Sequence, residues 1–218
     1  MECANTIDVY KKSNFAIGHR GAALMFPEHT ASSYKAASVM GAGIIECDVT
    51  FTKDLELVCR HSQCDLHTTT NIVTVPEMNA KCTTPFSPGM EESPKCCTSD
   101  FTLEELKTLC AKMDASGGTD SAEEYAFGGT PSWRTDLYST TGTSVCDEIL
   151  THSESIELIR ISGDSYFAPE LKSPGVEMPF TTPDGTVYTV DEYRQQIVDD
   201  YVKAKVPTEH VWLQSFVQ

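Results

Sequence analysis

Two acidic residues at the end of an apolar run are the part of this sequence best suited to chemistry. Glu46 and Asp48 are two positions apart and follow Ile44 and Ile45. On a β-strand, residues at this spacing point to the same face, so the two carboxylates would project together. Neighbouring anions are tolerated inside a fold mainly when a cation lies between them, and carboxylate oxygens suit magnesium or calcium. The spacing therefore predicts a divalent-metal site, and the alternative is a pair of solvated carboxylates on an edge strand.

Titratable residues also follow two other short apolar segments. His19 and Arg20 come directly after Phe15–Gly18, and His61 closely follows Leu57–Cys59. A histidine titrates near neutral pH, so one of a pair can be neutral and act as a base while the other is protonated. The planar guanidinium of Arg20 can bind a phosphate through two parallel hydrogen bonds. Buried strands that end in reactive groups are typical of the active site of a parallel α/β barrel.

A later segment repeats this arrangement with charges of opposite sign. Glu170 and Lys172 are two positions apart at the end of the predicted strand Ser165–Leu171, so they would share a face. Glu170 can supply a third carboxylate to the cation, and Lys172 can add a positive charge near a phosphate. Cleavage of a phosphodiester needs its charge neutralised, the attacking group deprotonated and the leaving oxygen protonated, and these residue types can do all three.

Five short apolar segments alternate with amphipathic ones along the chain. The predicted strands are Phe15–Gly18, Ile44–Thr50, Leu55–Arg60, Ser165–Leu171 and Val211–Phe216. The predicted helices run from Pro27 to about Met40, from Phe101 to Met113, from about Ser144 to Arg160 and from Val190 to Lys205, with a loop at Asp114–Gly129. Such alternation predicts an α/β fold with a parallel sheet and right-handed crossovers. Trp212 and Phe216 are expected in the core or wall of a barrel.

Length, composition and charge exclude several classes of protein. The 218 residues suit one domain, and an apolar content of 40% is enough for a core. No apolar run reaches the roughly 18–20 residues of a membrane span, and no signal peptide is visible at the N-terminus. The net charge of −16 argues against a nucleic-acid partner and against anionic membranes, but it leaves a small anionic substrate open.

Nine cysteines are many for a chain of this size. Six of them lie in the middle of the chain: Cys59, Cys64, Cys82, Cys96, Cys97 and Cys110. No C-x-x-C motif is present, so zinc binding is disfavoured, and a set of disulfides in an oxidising compartment is the better interpretation. The Cys- and Pro-rich insertion Asn79–Asp100 is predicted to be held by such bonds, whose pairing the sequence leaves open. Cys47, inside a strand, is predicted to be a buried free thiol.

Several linked motifs of this chain resemble the glycerophosphodiester phosphodiesterase family. They are H-R-G at His19–Gly21, P-E-H-T at Pro27–Thr30, G-A-G-I-I-E-C-D-V at Gly41–Val49, T-K-D at Thr52–Asp54 with the later His61, E-L-K at Glu170–Lys172 and V-W-L-Q-S-F at Val211–Phe216. The resemblance covers nearly the whole chain, and the ordered set is specific although no single motif is. The cysteine-containing segments around Cys59–Ile72 and Lys95–Asp100 are similar to a cysteine-containing, secreted branch of the family.

The resemblance implies a fold and an activity. The family has a TIM-type (β/α)8 barrel, and about five barrel strands are visible, so residues 1–218 are expected to form a single but partial barrel that lacks its C-terminal part. The implied activity is metal-dependent hydrolysis of glycerophosphodiesters to sn-glycerol 3-phosphate and an alcohol, with Ca²⁺ or Mg²⁺ as cofactor and a small-molecule substrate. One alternative is phospholipase D-like or lyase activity on lysophospholipid or sphingomyelin, which an exposed apolar rim would favour. Another is a non-catalytic relic of the fold.

The resemblance also implies roles for particular residues. His19 and His61 would be the acid/base pair, Arg20 and Lys172 would bind phosphate, and Glu46, Asp48 and Glu170 would bind the metal. Glu28 would bind substrate or His19, or serve only as a first-turn helix acid. Ser62 stands where many members carry Asp, and Asp65 could take over the orientation of His61. Four other histidines are expected to be structural (His29 and His67) or at the surface (His152 and His210). Trp133 and Arg134 would line the mouth of the site or pack against it.

Overall fold

A sheet built around one buried strand organises the molecule. The computed structural model describes residues 12–135, 137–138, 145–163 and 165–216. Its main sheet contains β1 (Ser13–Gly18), β2 (Ala42–Phe51), β3 (Leu57–Cys59) and β4 (Tyr166–Leu171). β1 and β4 lie parallel to β2 on its two sides, and every residue of β2 is buried. A parallel strand covered on both faces is expected to be this apolar.

The third strand differs from the expected parallel arrangement. β3 pairs antiparallel with the end of β2, with Val49 opposite Cys59 and Phe51 opposite Leu57. The connection Thr52–Glu56 is far too short for the crossover of about a dozen residues that a parallel pair needs, so the chain turns back as a hairpin. β3 therefore pairs with the carboxyl end of β2 and does not form the next strand of a barrel.

The two outer segments of the sheet are less buried than predicted. Among the described residues β1 pairs only with β2, and its side chains are exposed except at Gly18. The predicted last strand is reduced to parallel bridges that join Val211 to Phe167 and Gln214 to Glu170. Trp212 and Phe216 were predicted to lie in the core or wall of a barrel. Both side chains are exposed, because this edge has no further strand in the described part of the chain, so neither packs in a core.

Helices cover the sheet and begin where capping residues place them. They are α1 (Ala31–Val39), α2 (Leu66–Thr69), α3 (Pro76–Asn79), α4 (Leu103–Leu106), α5 (Ala122–Phe127), α6 (His152–Ser162) and α7 (Val190–Lys203), with a small hairpin of β5 (Phe180–Thr181) and β6 (Val187–Tyr188). Capping boxes at Thr102, Thr151 and Thr189 open α4, α6 and α7. None of the described helices has the length and apolar character that crossing a lipid bilayer requires.

Three helix predictions need correction. α1 begins at Ala31, not at Pro27, because His29 has a φ of +57° and Thr30 caps the helix. The predicted helix to Met113 ends with α4 at Leu106, because further along the chain the backbone N–H groups of Cys110 and Ala111 donate to Asn71 Oδ1 and to the Asp147 carbonyl and not to preceding turns of a helix. α6 begins at His152, and the predicted start near Ser144 lies outside the described residues. Part of the predicted loop Asp114–Gly129 is in fact helix α5.

Two apolar clusters hold the fold together. The first packs β2 against α1, α6 and α7 through residues such as Tyr34, Val49 and Ile197. The buried ring of His152 packs against Tyr201 of this cluster, and His152 Nδ1 lies 3.1 Å from Asp200 Oδ2. The prediction that His152 is a surface residue is therefore wrong. The second cluster packs α2 to α5 together, with Leu66, Ile72, Phe101, Leu106 and Ile149 among its members. The region between β3 and α6 is thus a folded unit with its own core.

Four disulfides link described residues between Cys47 and Cys146. The described residues form Cys47–Cys59, Cys64–Cys97, Cys82–Cys96 and Cys110–Cys146. Cys82–Cys96 lies within the predicted insertion, which the bond holds as expected. The prediction of a free Cys47 is wrong, because the β2–β3 hairpin brings the Cα atoms of Cys47 and Cys59 to 5.4 Å. The ninth cysteine, Cys3, lies outside the described residues.

Candidate active site

Three buried carboxylates meet at the carboxyl ends of β2 and β4. Glu46 and Asp48 share one face of β2, and the parallel register places Glu170 of β4 directly opposite Asp48. One oxygen of each carboxylate lies within 4.8 Å of an oxygen of the other two. The residues predicted to bind a metal are therefore brought together by strand spacing and sheet register.

The electrostatics of this cluster fit a divalent cation. Burial raises the pKa of both Asp48 and Glu170, and the proximity of the two groups adds to the rise at Glu170. Lys172 opposes the rise, because its Nζ lies 2.7 Å from Glu170 Oε1. Asp48 Oδ1 is buried and accepts no hydrogen bond. A buried carboxylate oxygen without a donor, next to two more carboxylates, is a ligand set suited to Ca²⁺ or Mg²⁺.

Arg20 is held in the site by a strained turn. Its φ is +57°, and the following Gly21 has a φ of +87°. A Cβ at Gly21 would lie 2.3 Å from Ser33 Oγ, so only glycine fits between the turn and α1. The turn aims the Arg20 backbone N–H at Glu46 Oε2 over 2.9 Å. Strain of this kind is tolerated where the surrounding structure fixes it, which is common at functional sites.

The side chain of Arg20 connects two acidic residues. Its Nη1 donates to Glu28 Oε2 over 2.8 Å, and its Nε lies 3.6 Å from Asp48 Oδ2. Burial alone would raise the pKa of Glu28, but nearby positive charges, including the permanent ones of Arg60 and Arg20, lower it. Arg60 is fully buried and donates through Nη2 to the Glu28 carbonyl over 2.6 Å. Glu28 contacts Arg20 through its side chain and precedes helix α1, so it is not a first-turn helix acid.

The two histidines differ in their surroundings. The side chain of His19 is 69% exposed, and its Nε2 lies 3.6 Å from Glu46 Oε2. His61 is partly buried, and burial together with Arg20 and Lys172 lowers its pKa. A lowered pKa favours the neutral imidazole near pH 7, which is the form that accepts a proton.

Asp65 does not orient His61. Its Oδ2 accepts a hydrogen bond from the Ser62 backbone N–H over 2.8 Å, and its buried Oδ1 has no hydrogen-bond partner. The suggestion that Asp65 replaces an orienting carboxylate is therefore not supported by the geometry. Burial raises the pKa of Asp65 to about 7, although the positive charge of Arg60 opposes this.

We expect Asp65→Asn to change how stability depends on pH. The folded state holds the Asp65 proton up to about pH 7, whereas the unfolded chain releases it near pH 4. The wild type should therefore lose stability relative to the variant as pH rises from about 4 to 7, by at most about 4 kcal/mol. Urea unfolding at several pH values measures this, with the exposed Asp120→Asn as control. Parallel pH curves for Asp65→Asn and the wild type would contradict it.

Two residues that hydrogen-bond to the clustered carboxylates, His29 and Gln214, were not predicted from the sequence to do so. His29 is fully buried, with Nε2 2.9 Å from Asp48 Oδ2 and Nδ1 2.9 Å from the Tyr34 hydroxyl, and burial lowers its pKa to about 3. The amide of Gln214 donates to Glu46 Oε1. The only sequence signal for Gln214 was its place in a strand next to β4. Nothing local indicated that His29 would reach Asp48, because the contact depends on the turn before α1.

Exposed apolar side chains surround the loop between β1 and α1. Leu24 and Met25 of this loop, together with Trp133 and Leu137, are each more than half exposed, and we call these four residues the apolar rim. Arg134 holds the segment of Trp133 and Leu137 near Leu24 and Met25, because its Nη2 donates to the Ala23 carbonyl over 2.6 Å. The rim is therefore next to the loop that carries Arg20 and Glu28.

Comparison with known proteins identifies the family. Residues 19–166 match the Glycerophosphoryl diester phosphodiesterase family. The chain is 41% identical over 88 residues to an extracellular protein of Arthroderma benhamiae, covering 40% of this chain and 32% of that protein. It is 39% identical over 99 residues to a glycerophosphodiester phosphodiesterase of Arabidopsis thaliana, covering 45% of this chain and 26% of that one.

Solved structures share the fold over most of this chain. A glycerophosphodiester phosphodiesterase from Agrobacterium tumefaciens superposes with a TM-score of 0.55 at 18% identity, over 96% of this chain and 58% of that one. A phosphodiesterase from Oleispira antarctica, solved with the product sn-glycerol-3-phosphate, gives a TM-score of 0.51 at 20% identity, over 93% of this chain and 57% of that one. The chain thus spans a little over half of these structures and about a third or less of the two relatives above. The α/β fold is part of a TIM-type barrel, and the chain belongs to the glycerophosphoryl diester phosphodiesterase family.

Proposed function

We propose that this chain carries the active site of a metal-dependent phosphodiesterase that hydrolyses glycerophosphodiesters to sn-glycerol 3-phosphate and an alcohol. The observation that carries the proposal is the buried cluster of Glu46, Asp48 and Glu170 at the carboxyl ends of β2 and β4. Cationic side chains and two histidines lie around it, which matches the needs of a phosphodiester substrate.

The three carboxylates would hold Ca²⁺ or Mg²⁺. When bound, such an ion neutralises charge on a phosphoryl oxygen and so favours attack at phosphorus. Arg20 and Lys172 border the same cluster through Glu46 and Glu170, so both can contribute positive charge to the phosphate. The site thereby offsets the negative charge that protects a phosphodiester from nucleophiles.

The histidines divide the proton transfers between them. His61, whose lowered pKa favours the neutral form, accepts the proton of the attacking hydroxyl as its oxygen bonds to phosphorus. The bond from phosphorus to the alcohol oxygen breaks, and the exposed His19 protonates that oxygen. The attacking group is either water or a glycerol hydroxyl, and in the second case water then opens the cyclic phosphate. Glu28, joined to Arg20, orients that side chain or binds the glycerol.

The test is release of glycerol 3-phosphate from glycerophosphocholine by the 218-residue chain. Release that needs Ca²⁺ or Mg²⁺, stops with EDTA and is lost in His19→Ala is the expected result. Release that EDTA does not affect would contradict the metal assignment. Folded protein that binds the ion but releases no product would favour the non-catalytic alternative.

The apolar rim favours a second candidate, phospholipase D-like action on a lysophospholipid. Exposed tryptophan and aliphatic side chains beside a polar site suit an acyl chain next to a phosphodiester. We expect Trp133→Ser to raise the KM for lysophosphatidylcholine several-fold and to leave that for glycerophosphocholine unchanged. Val202→Ser, an equally exposed apolar residue on α7, is the control. Equal effects of Trp133→Ser on both substrates would remove this candidate.

The disulfide-bonded cysteines support the proposal that this protein is secreted. Four disulfides among the described residues indicate an oxidising compartment, and the relative from Arthroderma benhamiae is named as an extracellular protein. We therefore infer that the protein acts outside the cell on small glycerophosphodiesters. The absence of a nucleic-acid partner stays a prediction from the net charge.

A further inference from the structure

Each of the three clustered carboxylates has its own hydrogen-bond or ion-pair partner. Glu46 accepts from the Arg20 backbone and from Gln214, and Glu170 contacts Lys172. Asp48 is held by His29, a residue of the loop before α1. Of these partners, His29 is the one that is fully buried and has no access to substrate.

The His29 ring is fixed at both nitrogens. An ionised carboxylate only accepts hydrogen bonds, so the hydrogen between Nε2 and Asp48 Oδ2 belongs to Nε2. The neutral ring then accepts at Nδ1 from the hydroxyl of Tyr34, a fully buried residue of α1. The backbone N–H of His29 donates to the Arg20 carbonyl over 3.1 Å, which ties the same loop to the strained turn.

This contact decides which oxygen of Asp48 is left for a ligand. Oδ2 is bonded to His29 and lies near Arg20 Nε, whereas the buried Oδ1 accepts nothing. Without a donor on Oδ2, the carboxylate could rotate about its Cβ–Cγ bond and exchange the two oxygens. The His29 hydrogen bond therefore holds the Asp48 carboxylate in one orientation.

We propose that His29, itself oriented by Tyr34, is a positioning residue that fixes Asp48 so that Oδ1 binds the divalent cation. The proposal rests on the metal site of the proposed function. Partners of this kind, which orient a ligand without touching the ion, typically change metal affinity by about 10- to 100-fold when they are lost.

The test is isothermal titration of the EDTA-treated 218-residue chain with Ca²⁺ alone and with Mg²⁺ alone. His29→Ala should weaken binding about 10- to 100-fold. His29→Gln, whose amide N–H reaches about as far as Nε2, should restore most of the affinity. Tyr34→Phe keeps the ring but removes one hydrogen bond, so a smaller loss of about fivefold is expected.

The chain offers a matched control in His152. This histidine is also fully buried, lies beside a tyrosine and contacts a carboxylate, that of Asp200, but it is the first residue of α6 and packs against α7. His152→Ala should lower the melting temperature and leave the Kd for the cation unchanged. An equal loss of affinity in His152→Ala would overturn the proposal, because it would show a general effect of destabilisation.

The remaining outcomes separate this inference from the proposed function. Wild-type affinity in folded His29→Ala overturns the positioning role and leaves the metal site standing. If His29→Ala does not fold, Tyr34→Phe decides, and an unchanged Kd in that variant overturns the proposal. A wild-type chain that binds neither cation overturns the metal site, and the role of His29 falls with it.

Discussion

Replacing Glu170 with glutamine is expected to weaken Ca²⁺ or Mg²⁺ binding by at least about 100-fold, because losing a ligand should cost more than losing a partner that only orients one. Phosphodiesterase activity should fall together with the affinity for the cation.

The same substitution is expected to stabilise the fold when no cation is bound. Burial and the nearby Asp48 raise the pKa of Glu170, so its ionised form opposes folding in the absence of a cation. A group of this kind removes stability as pH rises above about 4.5. Glu170→Gln should therefore melt at a higher temperature than the wild type in EDTA at pH 8.

Opposite changes in affinity and stability make this prediction specific. Glu177→Gln makes the same substitution at an exposed position on the same segment and should change neither quantity. Calorimetry in EDTA and titration with each cation provide the two measurements. Unchanged cation binding in Glu170→Gln would show that β4 does not contribute to a metal site, whatever happens to its stability.

Removing the imidazole of His61 is expected to lower kcat by about 10²- to 10⁴-fold, the range typical of a lost general base. Because the pKa of His61 is lowered, its role should also show in how activity depends on pH. A base acts when it is neutral, so activity of the wild type should be lost as pH falls through a value below the usual 6.5 of histidine. His61→Asn should lose this acidic limb, since no proton acceptor remains.

A histidine at the other end of β4 provides the comparison. The His210 ring stacks on Tyr166 at a centroid distance of 4.2 Å, near the N-terminal end of the strand. His210→Asn should retain the wild-type kcat and the acidic limb of the profile. If His61→Asn keeps more than a tenth of the wild-type kcat, His61 does not act as the general base.

The carboxylate cluster was predictable because strand geometry and the order of the motifs both point to it. A spacing of two puts Glu46 and Asp48 on one face of any strand, and motif order suggested Glu170 as the third member. The parallel register of β2 and β4 then brings Asp48 and Glu170 opposite each other. The assignment of His19, His61, Arg20 and Lys172 to substrate stays a prediction, although these residues lie around the cluster.

The features that sequence reasoning missed depend on contacts between distant segments. The apolar pattern of Leu57–Cys59 is the same for a parallel and an antiparallel strand, so only the short connection reveals the hairpin with β2. The Cys47–Cys59 bond follows from that hairpin. The His29–Asp48 contact needs a residue with positive φ to return the chain to the sheet, and no periodicity of the sequence indicates it.

Adjacent cysteines in the insertion have a consequence for how the protein can be produced. Cys96 and Cys97 bond to Cys82 and Cys64, respectively. Consecutive side chains of an extended backbone point to opposite sides, so exchanging the two partners would place each sulfur on the wrong side of the chain. While the reduced chain oxidises, however, the thiols of Cys96 and Cys97 are adjacent in sequence, so both can react with Cys64 or with Cys82. Wrong pairs of these cysteines are corrected by attack of a free thiolate on the disulfide. The yield of correctly folded protein from a reduced chain should therefore depend more on a disulfide isomerase or a glutathione buffer than on the supply of oxidant.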